Sequence, residues 1–165
     1  MGALANNEVG KYWNHAFVST FQKVGTFQRV GNQKQGGNVA SYFCTPDGRV
    51  LHVVLGPVNA GVLLREARWV VETWKLAQLE GQQDPAAEKT VFRKAHADRF
   101  RQKHGGANMQ RLAKIPDAPS KVHMLLALSP LPKIDQVYPL VFEELLGEKV
   151  STNPVIEVDK RSRKS

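Results

Sequence analysis

The stretch that most constrains the fold runs over residues 37–79, GNVASYFCTPDGRVLHVVLGPVNAGVLLREARWVVETWKLAQL. Residues 39–44 form a short apolar run, Pro46-Asp47-Gly48 is turn chemistry, and residues 50–55 resume a β-branched pattern. That order predicts a hairpin. Beyond Asn59, the residues Leu63, Ala67, Val70, Trp74 and Ala77 recur at intervals of three and four. Leu64 and Val71 widen this stripe, while Arg65, Arg68, Glu72 and Lys75 populate the other side. The pattern predicts a helix that covers the hairpin, with Asn59 as its N-cap. Arg68 with Glu72, and Glu72 with Lys75, are spaced as surface pairs worth about 0.2–0.5 kcal/mol each. Trp74, if fully buried, is expected to contribute roughly 3–5 kcal/mol.

Upstream, Asn6-Asn7 followed by Glu8, Val9, Tyr12 and Trp13 predicts a short helix ending near Asn14 and His15, and residues 17–24 predict a strand. Phe21-Gln-Lys-Val-Gly-Thr is echoed by Phe27-Gln-Arg-Val-Gly-Asn, but two copies do not make a solenoid. A local hairpin with Gly25 at the first central position of a two-residue turn is the simpler reading. Residues 31–38, GNQKQGGN, predict a polar, glycine-rich loop. Downstream, Asp84 as N-cap and Pro85 at the first helical position open a second helix that Gly105-Gly106 closes. Its apolar face is thin: Val91, Phe92, Ala95 and Phe100. Residues 105–119 read as a linker, 122–128 as a helix, 137–146 as a final helix ending at Gly147, and 155–158 as a short strand before a basic, disordered tail.

The order helix, strand, hairpin, helix over residues 8–79 resembles the thioredoxin-like superfamily. Residues 9–18 match a helix end of the Val-x-x-x-Trp-Asn-x-x-Phe-Val type, and residues 17–24 stand where its strand follows. Residues 39–44, the Thr45-Pro-Asp-Gly48 turn, residues 49–56 and residues 59–79 resemble the later hairpin and terminal helix. The resemblance implies an α/β fold: a partial thioredoxin-like sheet-and-helix core over residues 1–80, incomplete at its N-terminus. An α-helical C-terminal extension over residues 81–150 and a short strand with a basic tail over residues 151–165 complete the expected organisation. It also implies ancestry with thiol oxidoreductases, yet Cys-x-x-Cys is absent from this chain, and the usual cis-proline position aligns with Val39. A thiol–disulfide cycle needs a low-pKa thiolate and a resolving thiol. Cys44 is the single cysteine and the one candidate reactive thiol, and in an apolar strand it reads as a packed small hydrophobe.

The expected function is therefore a non-catalytic interaction or scaffold module without a cofactor. The alternatives are an oxidoreductase whose Cys-x-x-Cys half lies outside this chain, and a basic nucleic-acid-binding protein. The formal charge is +8, with its excess greatest over residues 81–118. Lys89, Arg93, Lys94, Arg99, Arg101 and Lys103 are the candidate polyanion contacts. Trp69, beside the main stripe, is expected either to pack on the C-terminal extension or to be exposed as a candidate partner contact with Arg65 and Arg68. Unpaired strand edges are adhesive, so the expected partner is another protein or a second copy completing the sheet.

The five histidines, His15, His52, His96, His104 and His123, make no metal-ligand spacing, so no metal is expected, and His52 is expected to top the sheet. Glu143 and Glu144 are adjacent and would point in different directions on a helix, which excludes an acid/base pair. Residues 31–37 lack the Gly-Lys-Ser/Thr ending of a phosphate loop. One cysteine cannot form an internal disulfide. No apolar run approaches the roughly 18 residues of a membrane span, and the first residues carry no export signal, so a cytoplasmic location without membrane contact is expected.

Overall fold

From the N-terminus a 3-10 turn (Ala3–Ala5) leads into α1 (Asn7–Ala16), a small hairpin of β1 (Gln28–Val30) and β2 (Gln33–Gln35), and the main hairpin of β3 (Ala40–Cys44) and β4 (Val50–Leu55). Helices α2 (Ala60–Gly81), α3 (Ala87–His104), α4 (Ala118–Leu128) and α5 (Ile134–Leu140) follow, the last running into a π-helical turn (Val141–Leu145). This computed structural model describes residues 3–22, 28–30, 33–35, 38–82, 84, 86–105 and 117–150. The fold is mixed α/β.

The main hairpin decides the layering. Ala40 lies opposite Leu55 and Phe43 opposite His52, then the register jumps so that Cys44 faces Val50. Leu51 is thereby the extra residue of a β-bulge. In a regular strand Val50 would share a face with His52 and Val54, because side chains alternate with a period of two. The inserted residue sends Val50 to the opposite face. Phe43, Leu51 and Val54 accordingly join Val9, Leu63, Leu64, Ala67, Val70 and Phe92 in one core, under α1, α2 and α3. Val50 and Val53 join Val122, Leu126, Val137 and Val141 in a second core, under α4, α5 and the π-helical turn. Helices thus cover both faces of a two-stranded hairpin.

Local chemistry fixes the helix ends. Asn6 and Asn59 cap α1 and α2, the Asn59 carbonyl oxygen Oδ1 accepting the Val62 N–H at 2.9 Å. Asp117 caps α4 by accepting the Ser120 N–H at 2.9 Å, and Gly105 ends α3 at φ +63°. Asp47 in the hairpin turn is held by Arg49 and Lys133, and Arg49 continues to Glu88 in the first turn of α3 at 2.8 Å. The turn is thereby tied to the helices on either side of it.

Several expectations change. Residues 17–22 form no strand: Phe17 is the C-cap of α1, and its ring packs 5.1 Å from Trp13 and 5.4 Å from Phe43. Aromatic packing at a helix end outweighs the β-propensity of that segment. The rest of the expected strand and the Gly25 turn lie outside the described residues, as does the strand expected at 155–158. The expected loop at 31–38 contains β2, which pairs with β1 so that Gln28 faces Gln35. The second helix begins at Ala87, since Asp84 closes a preceding turn by accepting the Ala86 N–H at 2.9 Å. Pro119 sits in the first turn of α4, where its missing N–H costs nothing, and not in a linker. The last helix starts at Ile134 with Pro139 inside it. Proline there supplies no N–H to the ladder, and the π-helical turn follows directly. Arg68 pairs with Glu8 at 3.1 Å, and the expected pairs of Glu72 are not formed among the described residues.

Trp74 is half-buried, packed against Phe92 and beneath the Arg49 guanidinium, whereas Phe92 is fully enclosed. The large truncation cost therefore moves from Trp74 to Phe92. Phe92→Ala is expected to lower the unfolding free energy in urea by about 3–5 kcal/mol, and Trp74→Ala by clearly less. Equal losses would mean that Trp74 is as enclosed as Phe92.

Candidate functional site

Three histidines from three elements meet beside the hairpin. His52 lies on β4 among apolar neighbours and is 4% exposed, because α2 and α3 cover that face of the strand. It does not top the sheet. His96 lies on α3 one turn from Phe92 and one turn from Phe100, all three buried on the same stripe. His123 projects from α4, the half-buried member of the group. One ring nitrogen from each lies within 4.8 Å of the others. Trp69 on α2 stands edge-on to the cluster, its ring centre 5.2 Å from His52, 5.1 Å from His96 and 5.9 Å from His123.

Hydrogen bonding assigns the protons. The Leu51 carbonyl only accepts, so His96 Nε2–H donates to it at 2.9 Å. A neutral His96 then presents a bare Nδ1, which accepts from His123 Nδ1–H at 2.9 Å. His123 in turn keeps a bare Nε2. His52 Nε2 faces the Glu66 carboxylate at 3.4 Å and carries its proton, leaving a buried Nδ1 lone pair with no hydrogen-bond partner among the described residues. Burial, reinforced by the neighbouring imidazoles, holds His96 well below the ordinary histidine range and His123 at about 3. Burial also pushes His52 down, against the pull of Glu66. Burial alone would raise Glu66, but hydrogen bonds from His52 and Arg99 and the charge of Arg99 outweigh it and hold the carboxyl at about 2.

Arg99 ties this group to the surface. Its guanidinium pairs with Glu66 and lies 3.9 Å over the Trp69 ring. Next to it opens a cleft of about 380 Å³ lined by Arg65, Glu66, Arg99, Lys103, Ser120 and His123 among others. A second cleft of about 460 Å³ is lined by Leu64, Arg65, Arg68, Trp69 and Arg99 among others. The candidate partner residues Trp69, Arg65 and Arg68 therefore converge on one helix face with Arg99, which the sequence grouped with the polyanion contacts. Lys89, Arg93 and Lys94 are exposed along α3, Arg101 pairs with Asp98, and Lys103 reaches Asp117 at 2.9 Å. Cys44 lies half-buried at the end of β3, and burial pushes its thiol up to about 11. It is a thiol and not a thiolate at neutral pH.

Three neutral imidazoles are a ligand set for zinc and its first-row neighbours. The other nitrogens of His96 and His52 face a carbonyl and a carboxylate, the partners that orient metal-bound histidines. Tetrahedral Zn–N bonds of about 2.0–2.1 Å place ligand nitrogens about 3.3 Å apart, so nitrogens that lie within 4.8 Å of one another would have to rearrange to share one ion. The His52 and His123 rings are stacked at 5.1 Å with 20° between their planes, and stacked rings do not both aim at one point. Binding would therefore turn His123, the least enclosed of the three, and would replace its hydrogen bond to His96 so that His123 Nε2 and His96 Nδ1 both present lone pairs. Spacing rules miss this set because its members stand on a strand and two helices. Comparison with protein-family models, with curated proteins and with solved structures finds no match.

The neutral histidines make the metal-free chain sensitive to acid. Unfolded histidine titrates near 6.5, while His52 and His96 stay neutral below that value in the fold, so the unfolded chain binds more protons there. Their contribution is complete above about pH 6.5 and is lost as pH falls toward their native values. Each removes up to about 1.4 kcal/mol per pH unit. Glu66 adds to the loss only below its ordinary range, as the pH approaches about 2. Urea midpoints of the metal-free protein are expected to fall steeply between about pH 6.5 and pH 5. A flat profile there would show that these histidines are charged in the fold.

Proposed function

We propose that this chain binds a divalent transition-metal ion, zinc in the first place, through His52, His96 and His123. The observation that carries the reading is the approach of three ring nitrogens within 4.8 Å, with a buried His52 Nδ1 that no donor among the described residues meets. A buried lone pair without a donor is costly, and a cation supplies what the protein does not. Depressed histidine pKa values add support, because ligand imidazoles must be neutral and here no proton competes near pH 7. The Leu51 carbonyl and Glu66 orient two of the three rings. Three protein ligands leave a position open, and His123, shared between the cluster and the cleft, sets that position toward solvent. Such a site exchanges ligands, unlike a closed structural one. A thiol–disulfide role draws no support from Cys44, whose thiol is raised and stands alone.

Titration of the metal-stripped protein with Co²⁺ tests the reading. A saturable visible d–d absorption that one equivalent of Zn²⁺ bleaches is the expected result. Zinc at a hundred times its dissociation constant adds about 2.7 kcal/mol, which raises the melting temperature by about 5–10 °C for a chain of this size. His123→Ala, at the least enclosed position, is expected to retain the circular dichroism of the parent and lose the cobalt bands. An unshifted melting temperature with no cobalt bands would overturn the proposal.

A further inference from the structure

The two clefts meet along Arg65 and Arg99, which line both. Their chemistry differs on either side of that seam. His123 and Lys103 line one, Trp69 and Leu64 the other. Arg99 is fixed by Glu66 and by the Trp69 ring, so it shapes the seam more than it reaches out. The Arg65 side chain is 65% exposed and, among the described residues, makes only a 3.6 Å approach to Glu66, which leaves most of its donors open there. Gly61 lines the apolar cleft without a side chain, and a Cβ there would meet nothing nearer than Asn59 Oδ1 at 3.5 Å.

We infer that the joined clefts take an organic oxyanion of the phosphate or phosphonate class carrying a small apolar substituent. The anion lies against Arg65 with an oxygen at the open metal position beside His123, and the substituent lies against Trp69 and Leu64. This rests on the metal reading above. A guanidinium and a metal ion are complementary to an oxyanion, one through paired N–H donors and the other as a Lewis acid. Clefts of about 380 and 460 Å³ are in the range of small-molecule sites.

The cobalt-loaded full chain is titrated with inorganic phosphate and with phenylphosphonate, following the cobalt bands and the heat of binding. Both anions are expected to shift the bands, phenylphosphonate binding about tenfold more tightly because part of its ring is buried. Arg65→Ala is expected to weaken both by about tenfold or more, the size of a lost charge-assisted hydrogen bond. Gly61→Phe is expected to leave phosphate binding intact and to abolish the advantage of phenylphosphonate. Cobalt bands that respond to neither anion, or equal affinities that Gly61→Phe does not change, overturn this inference while the metal reading stands. Absence of the cobalt bands themselves overturns both.

Discussion

The hydrogen bond from His96 to the Leu51 carbonyl depends on a residue that the β3–β4 register skips. The same irregularity turns Val50 away from the face that carries His52 and Val54, so that Leu51 and Val54 join one core while Val50 and Val53 join the other. A two-stranded hairpin is marginal alone in water and gains stability only when something covers it. Here helices are drawn to both sides, and α3 and α4 come together next to β4. One inserted residue thereby sets the layer order and also leaves the acceptor that orients the central imidazole.

Polar groups in this position need company. Glu66 and Arg99 neutralise each other next to Trp69, and Glu66 also faces His52. Breaking such a pair by removing one partner leaves the other charge poorly solvated, a cost usually larger than the net stabilisation of the pair. The histidines avoid that cost by staying neutral, at the price of a lone pair that no donor among the described residues meets. The polar centre is therefore balanced in charge and incomplete in hydrogen bonding, which distinguishes it from a buried network whose function is only to hold the fold.

The hairpin, α2 and its cap at Asn59 are legible from local chemistry, because periodicity and turn residues act over a few positions. The strand expected at residues 17–24 fails where Phe17 finds Trp13 and Phe43, a tertiary contact that no local pattern encodes. The start of α3 shifts for a smaller reason, the use of Asp84 in a turn of its own. The histidine cluster was invisible to spacing rules, since His96 and His123 are 27 residues apart on separate helices. Two signals nevertheless pointed inward. His52 interrupts a strand otherwise made of Val and Leu, and His96 occupies the one step between Phe92 and Phe100 on a buried stripe. A titratable residue in an apolar run is more informative than its distance from the next one. Trp69 similarly stood out as a large ring beside the main stripe, and it is the ring that closes over the cluster.

Because His52, His96 and His123 arrive on β4, α3 and α4 in that order, their meeting place is incomplete until α4 has been made. A ribosome-bound chain that has released the hairpin, α2 and α3 holds two imidazoles and the Leu51 acceptor, but the third has yet to emerge. Chain order alone thus makes the emergence of α4 the event that completes the three-imidazole set.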